Sequence, residues 1–184
     1  MMPVISSTKR KDAILIMDLQ IKNHFSNLSD EEKKEYGFIS LLTDKDVLKA
    51  LIETKLVFIA KDQFSHCAGY VFAIPYDFAK DLRFFKPLAY EISKHSTIAG
   101  SDCCILGQIC VARKFQGSGI ALKLYKRLER ELASRKIKTL ITEVDISNQR
   151  SLAFHKEKAD FNTLSLAITG GQEFAILSKH IGSH

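Results

Sequence analysis

The sequence predicts a mixed α/β fold built around one sheet, and three features of the chain point to it. Helical and strand-like patterns alternate along all 184 residues without a linker, an internal repeat or a low-complexity tract. The run 103–112 (Cys-Cys-Ile-Leu-Gly-Gln-Ile-Cys-Val-Ala) is almost wholly apolar, as in a central strand covered on both faces. An amphipathic stretch from 119 to about 135 and a β-branched run at 139–144 follow it, and the two strands lie parallel if the helix is a crossover. With 46% hydrophobic and 26% charged residues, disordered and fibrous classes are set aside, and the length suits a single domain, 1–184, able to bury its own core.

Taken in chain order, Ser29-Asp30-Glu31-Glu32 has the S-x-x-E form of a capping box, and Thr43 stands ahead of Asp44-Lys45-Asp46-Val47 in the same way. A short helix is expected to start at each. The β-rich runs 55–60 and 68–74 are joined by 61–66 and read as a hairpin, with Pro75 closing its second strand. Between 77 and 95, Phe78, Leu82, Phe85, Leu88 or Ala89, and Ile92 recur at helical spacing around Pro87, which gives one kinked or two short helices. In the stretch after 119, Ala121, Leu124, Tyr125, Leu128 and Leu132 share one face, while Lys123, Lys126, Arg127 and Arg130 fall largely off it. A helical pattern around 151–158 comes next. Strands near 161–169 and 173–178 then turn at Gly170-Gly171.

The net charge of +6 is local, because 113–138 holds nine lysines and arginines against only Glu129 and Glu131. A surface for nucleic acid would interleave aromatics for stacking, and this segment has just Phe115 and Tyr125, so no nucleic-acid partner is expected. Apolar runs such as 13–17 and 56–60 are far shorter than the roughly 20 residues of a membrane-spanning helix, so no membrane partner is expected either. The first ten residues carry their charges after their apolar part and lack a signal-peptide core, which points to the cytoplasm. Cys103, Cys104 and Cys110 share one strand-like run, where neighbours face opposite ways. With Cys67 they read as reduced core thiols, without the C-x-x-C spacing of a metal site.

Between the apolar run and the amphipathic stretch lies Arg113-Lys114-Phe115-Gln116-Gly117-Ser118-Gly119-Ile120-Ala121. Glycines just ahead of a helix let backbone N–H groups approach a phosphate closely, and the positive end of the helix dipole adds attraction. The spacing is neither that of a Walker loop nor the G-x-G-x-x-G of dinucleotide folds. It resembles the acyl-CoA loop of the GNAT N-acetyltransferase family, whose pattern Q/R-x-x-G-x-G/A is met by Gln116, Gly119 and Ala121. The strand ending in Ile109-Cys110-Val111-Ala112 looks like that family's fourth. Asn148-Gln149-Arg150-Ser151-Leu152-Ala153-Phe154-His155 looks like the start of its later helix. The resemblance covers roughly 103–161. It implies a mixed, mostly antiparallel central sheet with splayed parallel fourth and fifth strands and flanking helices.

Carried over residue by residue, the resemblance implies that the backbone of Ile109, Cys110 and Val111 pairs with the pantetheine arm of acetyl-CoA. The loop Gln116, Gly117, Ser118, Gly119, Ile120 and Ala121 would hold the pyrophosphate. Asn148 and Ser151 would contact the pantetheine, and Lys114 and Lys123 are candidates for the 3′-phosphate. The activity implied is transfer of acetyl from acetyl-CoA to a primary amine by direct attack in a ternary complex. Its alternative is a non-catalytic acyl-CoA-binding domain.

The family polarises the thioester carbonyl with a backbone N–H where its fourth and fifth strands part. Where members often place a tyrosine to protonate the thiolate, this chain has His155, whose ring can donate near neutral pH. A base is also needed, because a free alkylamine has a pKa of about 10. Glu143 in Thr142-Glu143-Val144-Asp145 is the first candidate, with His66 and Tyr70 as alternatives. The family's closing Gly-Phe pair is replaced by Lys158-Ala159-Asp160-Phe161, so Phe161 falls about a residue late. The amine acceptor would be chosen around 20–45 and 75–100, and a homodimer is compatible with the sequence.

Overall fold

Among the described residues seven strands form: β1 (Val4–Ser7), β2 (Val57–Lys61), β3 (Cys67–Pro75), β4 (Cys103–Val111), β5 (Thr139–Asp145), β6 (Asn162–Thr169) and β7 (Gln172–His180). Their order in the sheet is β1-β2-β3-β4-β5-β7-β6, which puts the apolar β4 fourth of seven. The helices are α1 (Ala13–Asn23), α2 (Asp30–Tyr36), α3 (Lys45–Glu53), α4 (Tyr76–Ala79), α5 (Lys86–Ser93), α6 (Ile120–Ser134) and α7 (Gln149–Ala153). The computed structural model describes residues 2–95, 98 and 100–182; Met1 and, within the 75–100 segment, residues 96, 97 and 99 lie outside this set. Two compact units are present, one formed by 1–72 with 108–129 and the other by 73–107 with 130–184.

In the first unit β1, β2 and β3 are antiparallel, with Val4 opposite Lys61 and Val57 opposite Phe72, which confirms the expected hairpin and adds an edge strand to it. Phe58, Ile59, Tyr70 and Val71 are wholly buried there. From α6, Leu124, Tyr125 and Leu128 join this core, and the Arg127 guanidinium lies over the Phe58 ring at 4.3 Å, an arginine that covers apolar surface with its charge outward. Gly69 is required where it stands: a Cβ there would meet the Cys110 carbonyl oxygen at 2.9 Å. Asp12, 3% exposed, pairs with Lys61 at 2.6 Å and also accepts the Lys9 N–H, tying the start of α1 to β2.

The N-terminal strand and helix escape the sequence patterns for a physical reason. β1 is only four residues long, and α1 is apolar on its outer side as well, with Ile14 and Ile21 half-exposed, so no stripe stands out. The capping box at α2 forms as expected, with Ser29 Oγ accepting the Glu32 N–H at 3.2 Å and Glu32 Oε2 accepting the Ser29 N–H at 2.8 Å. At α3 the expectation needs correction. Asp44 is the N-cap, accepting the Asp46 N–H at 2.8 Å, because Thr43 is buried and engaged elsewhere.

That engagement is a buried polar cluster. Gln20 Nε2 donates to Thr43 Oγ1 at 3.0 Å and to Gln108 Oε1 at 2.8 Å, and Gln20 Oε1 accepts the Thr43 N–H at 3.1 Å. The Tyr70 hydroxyl also donates to Gln108 Oε1, and Gln108 Nε2 donates to the Leu41 carbonyl at 2.9 Å. Gln20, Thr43, Tyr70 and Gln108 are all less than 9% exposed, so four separate segments are joined by bonds out of water's reach.

In the second unit β4 and β5 are parallel, as the crossover required, over Cys103–Ile105 against Thr139–Ile141. Their ladder stops there, well short of the end of β4 at Val111. β5 is antiparallel to β7 from Thr139 opposite His180 to Asp145 opposite Phe174, and β7 to β6 through a turn with Gly170 and Gly171 at φ 60 and 81. Pro87 sits in the first turn of α5 and so opens a second helix instead of kinking one. After α7 the backbone widens into a π-turn, Phe154–Lys158, closed by the Ala159 N–H on the Phe154 carbonyl at 3.0 Å. Asp160 then has φ 61, the left-handed region that disfavours a side chain. Asp160→Gly is expected to raise stability by about 0.5 kcal/mol, read as a higher urea midpoint at unchanged slope.

The four cysteines are free thiols. Burial pushes those of Cys103 and Cys104 up to about 12, beyond use as nucleophiles at neutral pH. Among the described residues no helix is long and apolar enough to cross a membrane.

Candidate active site

In the first unit, β4 ends at Val111 and a short 3-10 turn, Arg113–Phe115, leads through Gln116 to the start of α6. Ile109 and Val111 are half-exposed, while Cys110 between them is buried and its thiol is held far above the ordinary range by burial. Gly117 and Gly119 have φ 77 and 80, and a Cβ on either would meet nothing within 4 Å. The glycines thus hold a left-handed backbone with open space over it, at the end of a 15-residue helix whose first N–H groups have no intrahelical acceptor. Gln116 is used inside the protein: its N–H donates to the Arg113 carbonyl at 3.1 Å and its side chain donates to the Tyr36 carbonyl at 3.2 Å. The Ser118 N–H donates to the Phe115 carbonyl at 3.3 Å. Ile120 is buried and Ala121 half-buried, so what this segment can offer an anion is backbone around the glycines.

In the second unit, Glu143 is half-buried on β5, and burial alone raises its carboxyl to about 7. A carboxylate poised there can take and release a proton at neutral pH. Asn148 is buried and serves as N-cap of α7, its Oδ1 accepting the Ser151 N–H at 3.2 Å. His155 is 4% exposed. Its Nδ1–H donates to the Ser151 carbonyl at 2.8 Å, which places the lone pair of the neutral ring on Nε2, and the Ser151 hydroxyl lies 3.3 Å from Nδ1. Burial lowers the pKa of this ring and outweighs the opposing bond to Ser151, so the neutral form prevails at pH 7.

The model of the acetyltransferase (GNAT) family matches residues 16–161, which is most of the chain. The chain belongs to the GNAT family. It is therefore an acetyltransferase whose co-substrate is acetyl-CoA. Among solved structures it is similar to the ribosomal-protein-alanine N-acetyltransferase of Brucella melitensis, at 17% identity and a TM-score of 0.63 over 96% of this chain and 99% of that one. It is similar also to an N-acetyltransferase of Staphylococcus aureus, at 16% and 0.64 over 98% and 99%. A Salmonella typhimurium protein solved with its cofactor acetyl-CoA gives 13% and 0.64 over 99% and 95%. At these identities the likeness is one of fold. No curated protein sequence matches the chain.

Against the GNAT pattern, the late arrival of Phe161 has a structural counterpart. The π-turn takes up an extra residue, Asp160 adopts the left-handed φ where the pattern has glycine, and Phe161 is buried edge-on against the His155 ring at 5.4 Å. The two alternative bases are differently placed. His66 is exposed beside Asp62, 3.4 Å away, and Tyr70 is wholly buried in the polar cluster, its phenol raised well above the ordinary range by burial. Of the lysines considered for phosphate, Lys114 is paired with Asp62 at 3.1 Å and Lys123 lies beside the Met2 sulfur at 3.6 Å. Sequence reading missed Gln20 and Gln108, which carry no local signal, and saw Glu32 only as a capping residue.

Proposed function

We propose that residues 1–184 form one N-acetyltransferase domain that transfers acetyl from acetyl-CoA to a primary amine by direct attack in a ternary complex. The carrying observation is the glycine-marked turn at the start of α6, open above Gly117 and Gly119. An extended diphosphate suits it, since backbone N–H groups and the helix dipole meet its charge without a side chain in the way. The backbone of Ile109, Cys110 and Val111 beyond the β4–β5 ladder would take the pantetheine, with Ser151 and Asn148 as further contacts. Bound acetyl-CoA supplies a thioester carbonyl open to attack by an uncharged amine.

Glu143 is the residue we assign to deprotonating the ammonium, because burial raises its carboxyl to about 7, where it can take up a proton at neutral pH. For His155 the acid role would require the cationic ring, which burial opposes. The geometry favours a positioning part, with the ring anchoring α7 and Phe161. Free thiols throughout are in keeping with a reducing compartment, and we place the reaction in the cytoplasm.

Calorimetric titration with acetyl-CoA tests the site. Saturable binding is expected for the native chain and its loss in Gly119→Trp, with Gly119→Ala separating backbone strain at φ 80 from bulk. Thiol release against a panel of amines then tests the transfer. Absence of binding by the native chain overturns the reading of the turn, and binding without release overturns the enzyme.

A further inference from the structure

Three residues of the turn before α6 are each fastened to an element distant in sequence. Arg113 Nη1 donates to Glu32 Oε1 at 2.5 Å, and its guanidinium lies over the Tyr36 ring at 5.0 Å. Gln116 Nε2 reaches the Tyr36 carbonyl at 3.2 Å, and Lys114 Nζ donates to Asp62 Oδ2 at 3.1 Å. One side of the turn is thus fixed to α2 and another to the β2–β3 hairpin turn.

Both carboxylates are themselves held before they reach the turn. Glu32 uses Oε2 to close the α2 capping box on the Ser29 N–H and leaves Oε1 for Arg113. Asp62 uses Oδ1 to accept the N–H groups of Phe64 and His66, both at 3.0 Å, and its Oδ2 accepts from Lys114, with the His66 Nδ1 3.4 Å from the same oxygen. Burial pushes the Asp62 carboxyl up, but the bonds from Lys114, His66 and Phe64 outweigh it and hold it at about 2, so it stays charged across the working range. A surface ion pair between two free side chains contributes little because each must first be ordered. Here local backbone bonds have already ordered one member of each pair.

We propose that Glu32 and Asp62 are positioning residues for acetyl-CoA, setting its affinity by bracing the 113–116 turn so that the N–H groups around Gly117 and Gly119 converge on the diphosphate. The proposal rests on the reading of 116–121 as the diphosphate site. It also runs against simple electrostatics, which makes its sign diagnostic. Two carboxylates close to an anion site repel the ligand and neutralise Arg113 and Lys114, so by charge alone their removal should tighten binding. If they position the turn, their removal weakens it.

The variants are Glu32→Gln and Asp62→Asn, each of which keeps one oxygen for the local backbone bonds and replaces the oxygen facing Arg113 or Lys114 with an NH2 that cannot accept, so the charge and the bond to the turn are lost together. Calorimetric titration with acetyl-CoA is expected to show Kd raised about threefold in each and about tenfold in the double variant, the size of a well-ordered surface pair. Ligand-free amide exchange over 113–121 should quicken in the double variant. With whichever amine the panel selects, KM for acetyl-CoA should rise at unchanged kcat. An unchanged or lower Kd in the double variant overturns the proposal, even if exchange quickens. A native chain that does not bind acetyl-CoA overturns the reading of the loop and this inference with it. Native binding with unaffected variants overturns the bracing alone.

Discussion

Glu143→Gln is expected to lower kcat at pH 8 by about a hundredfold or more, the size of effect produced by losing a positioned general base. In the native enzyme the rate should rise with pH and level off above about 7, where the Glu143 carboxyl is ionised, and the variant should lack this limb. A second rise toward the pKa of the free amine belongs to the substrate and should persist in both. Stability should move the other way. The folded-state value of about 7 lies above the ordinary 4.5, so the folded protein binds this proton more tightly than the unfolded chain. The resulting stabilisation is fully present below about 4.5 and is lost as pH rises to about 7. At pH 8 Glu143→Gln should therefore melt no lower than the native enzyme, which separates lost catalysis from lost fold. A variant that retains its full rate and its pH limb would remove Glu143 from the mechanism.

Gln108→Leu carries the largest expected cost in stability, about 3–5 kcal/mol, or roughly 10 °C in Tm for a chain of this size. A leucine has similar volume but strands the Tyr70 hydroxyl, one Gln20 N–H and the Leu41 carbonyl, groups joined through Gln108 in a region closed to water. Each buried polar group left unsatisfied costs about 1–3 kcal/mol. Tyr70→Phe removes one donor and leaves the acceptor with its bond from Gln20, so about 1 kcal/mol is expected there. Equilibrium urea unfolding of both variants checks the ratio. Equal and small losses would mean that packing, and not the polar cluster, holds segment 41–43 to β4.

What was legible in the sequence was whatever local patterning specifies. The apolar β4, the amphipathic α6, the β2–β3 hairpin, the Ser29 capping box and the Gly170-Gly171 turn all depend on residues within a few positions of one another, and each appears where periodicity or turn chemistry put it. The glycines of the 116–121 turn belong to this class, because a positive φ is a demand that glycine meets by itself. Thr43 was misread for the complementary reason. Its cap pattern is local, but Gln20, 23 residues earlier, claims both its hydroxyl and its N–H.

The same distinction separates the candidate site residues. That Glu143 is an acid is written in the chain. That its carboxyl ionises near 7 follows from burial on β5, which only the packed fold creates. His155 appeared able to donate a proton, and the tertiary environment gave it a lowered pKa and an Nδ1–H bond to the Ser151 carbonyl. Lys114 reads in the sequence as a candidate for the 3′-phosphate, yet in the fold it faces Asp62, 52 positions away, and its neighbour Arg113 faces Glu32, 81 positions away. Apart from β1 and α1, the sequence by itself determined the main elements, their order and the chemical types at the turn. Tertiary structure alone decided which charges are paired and which protons are labile, because desolvation and long-range partners exist only once the chain is packed.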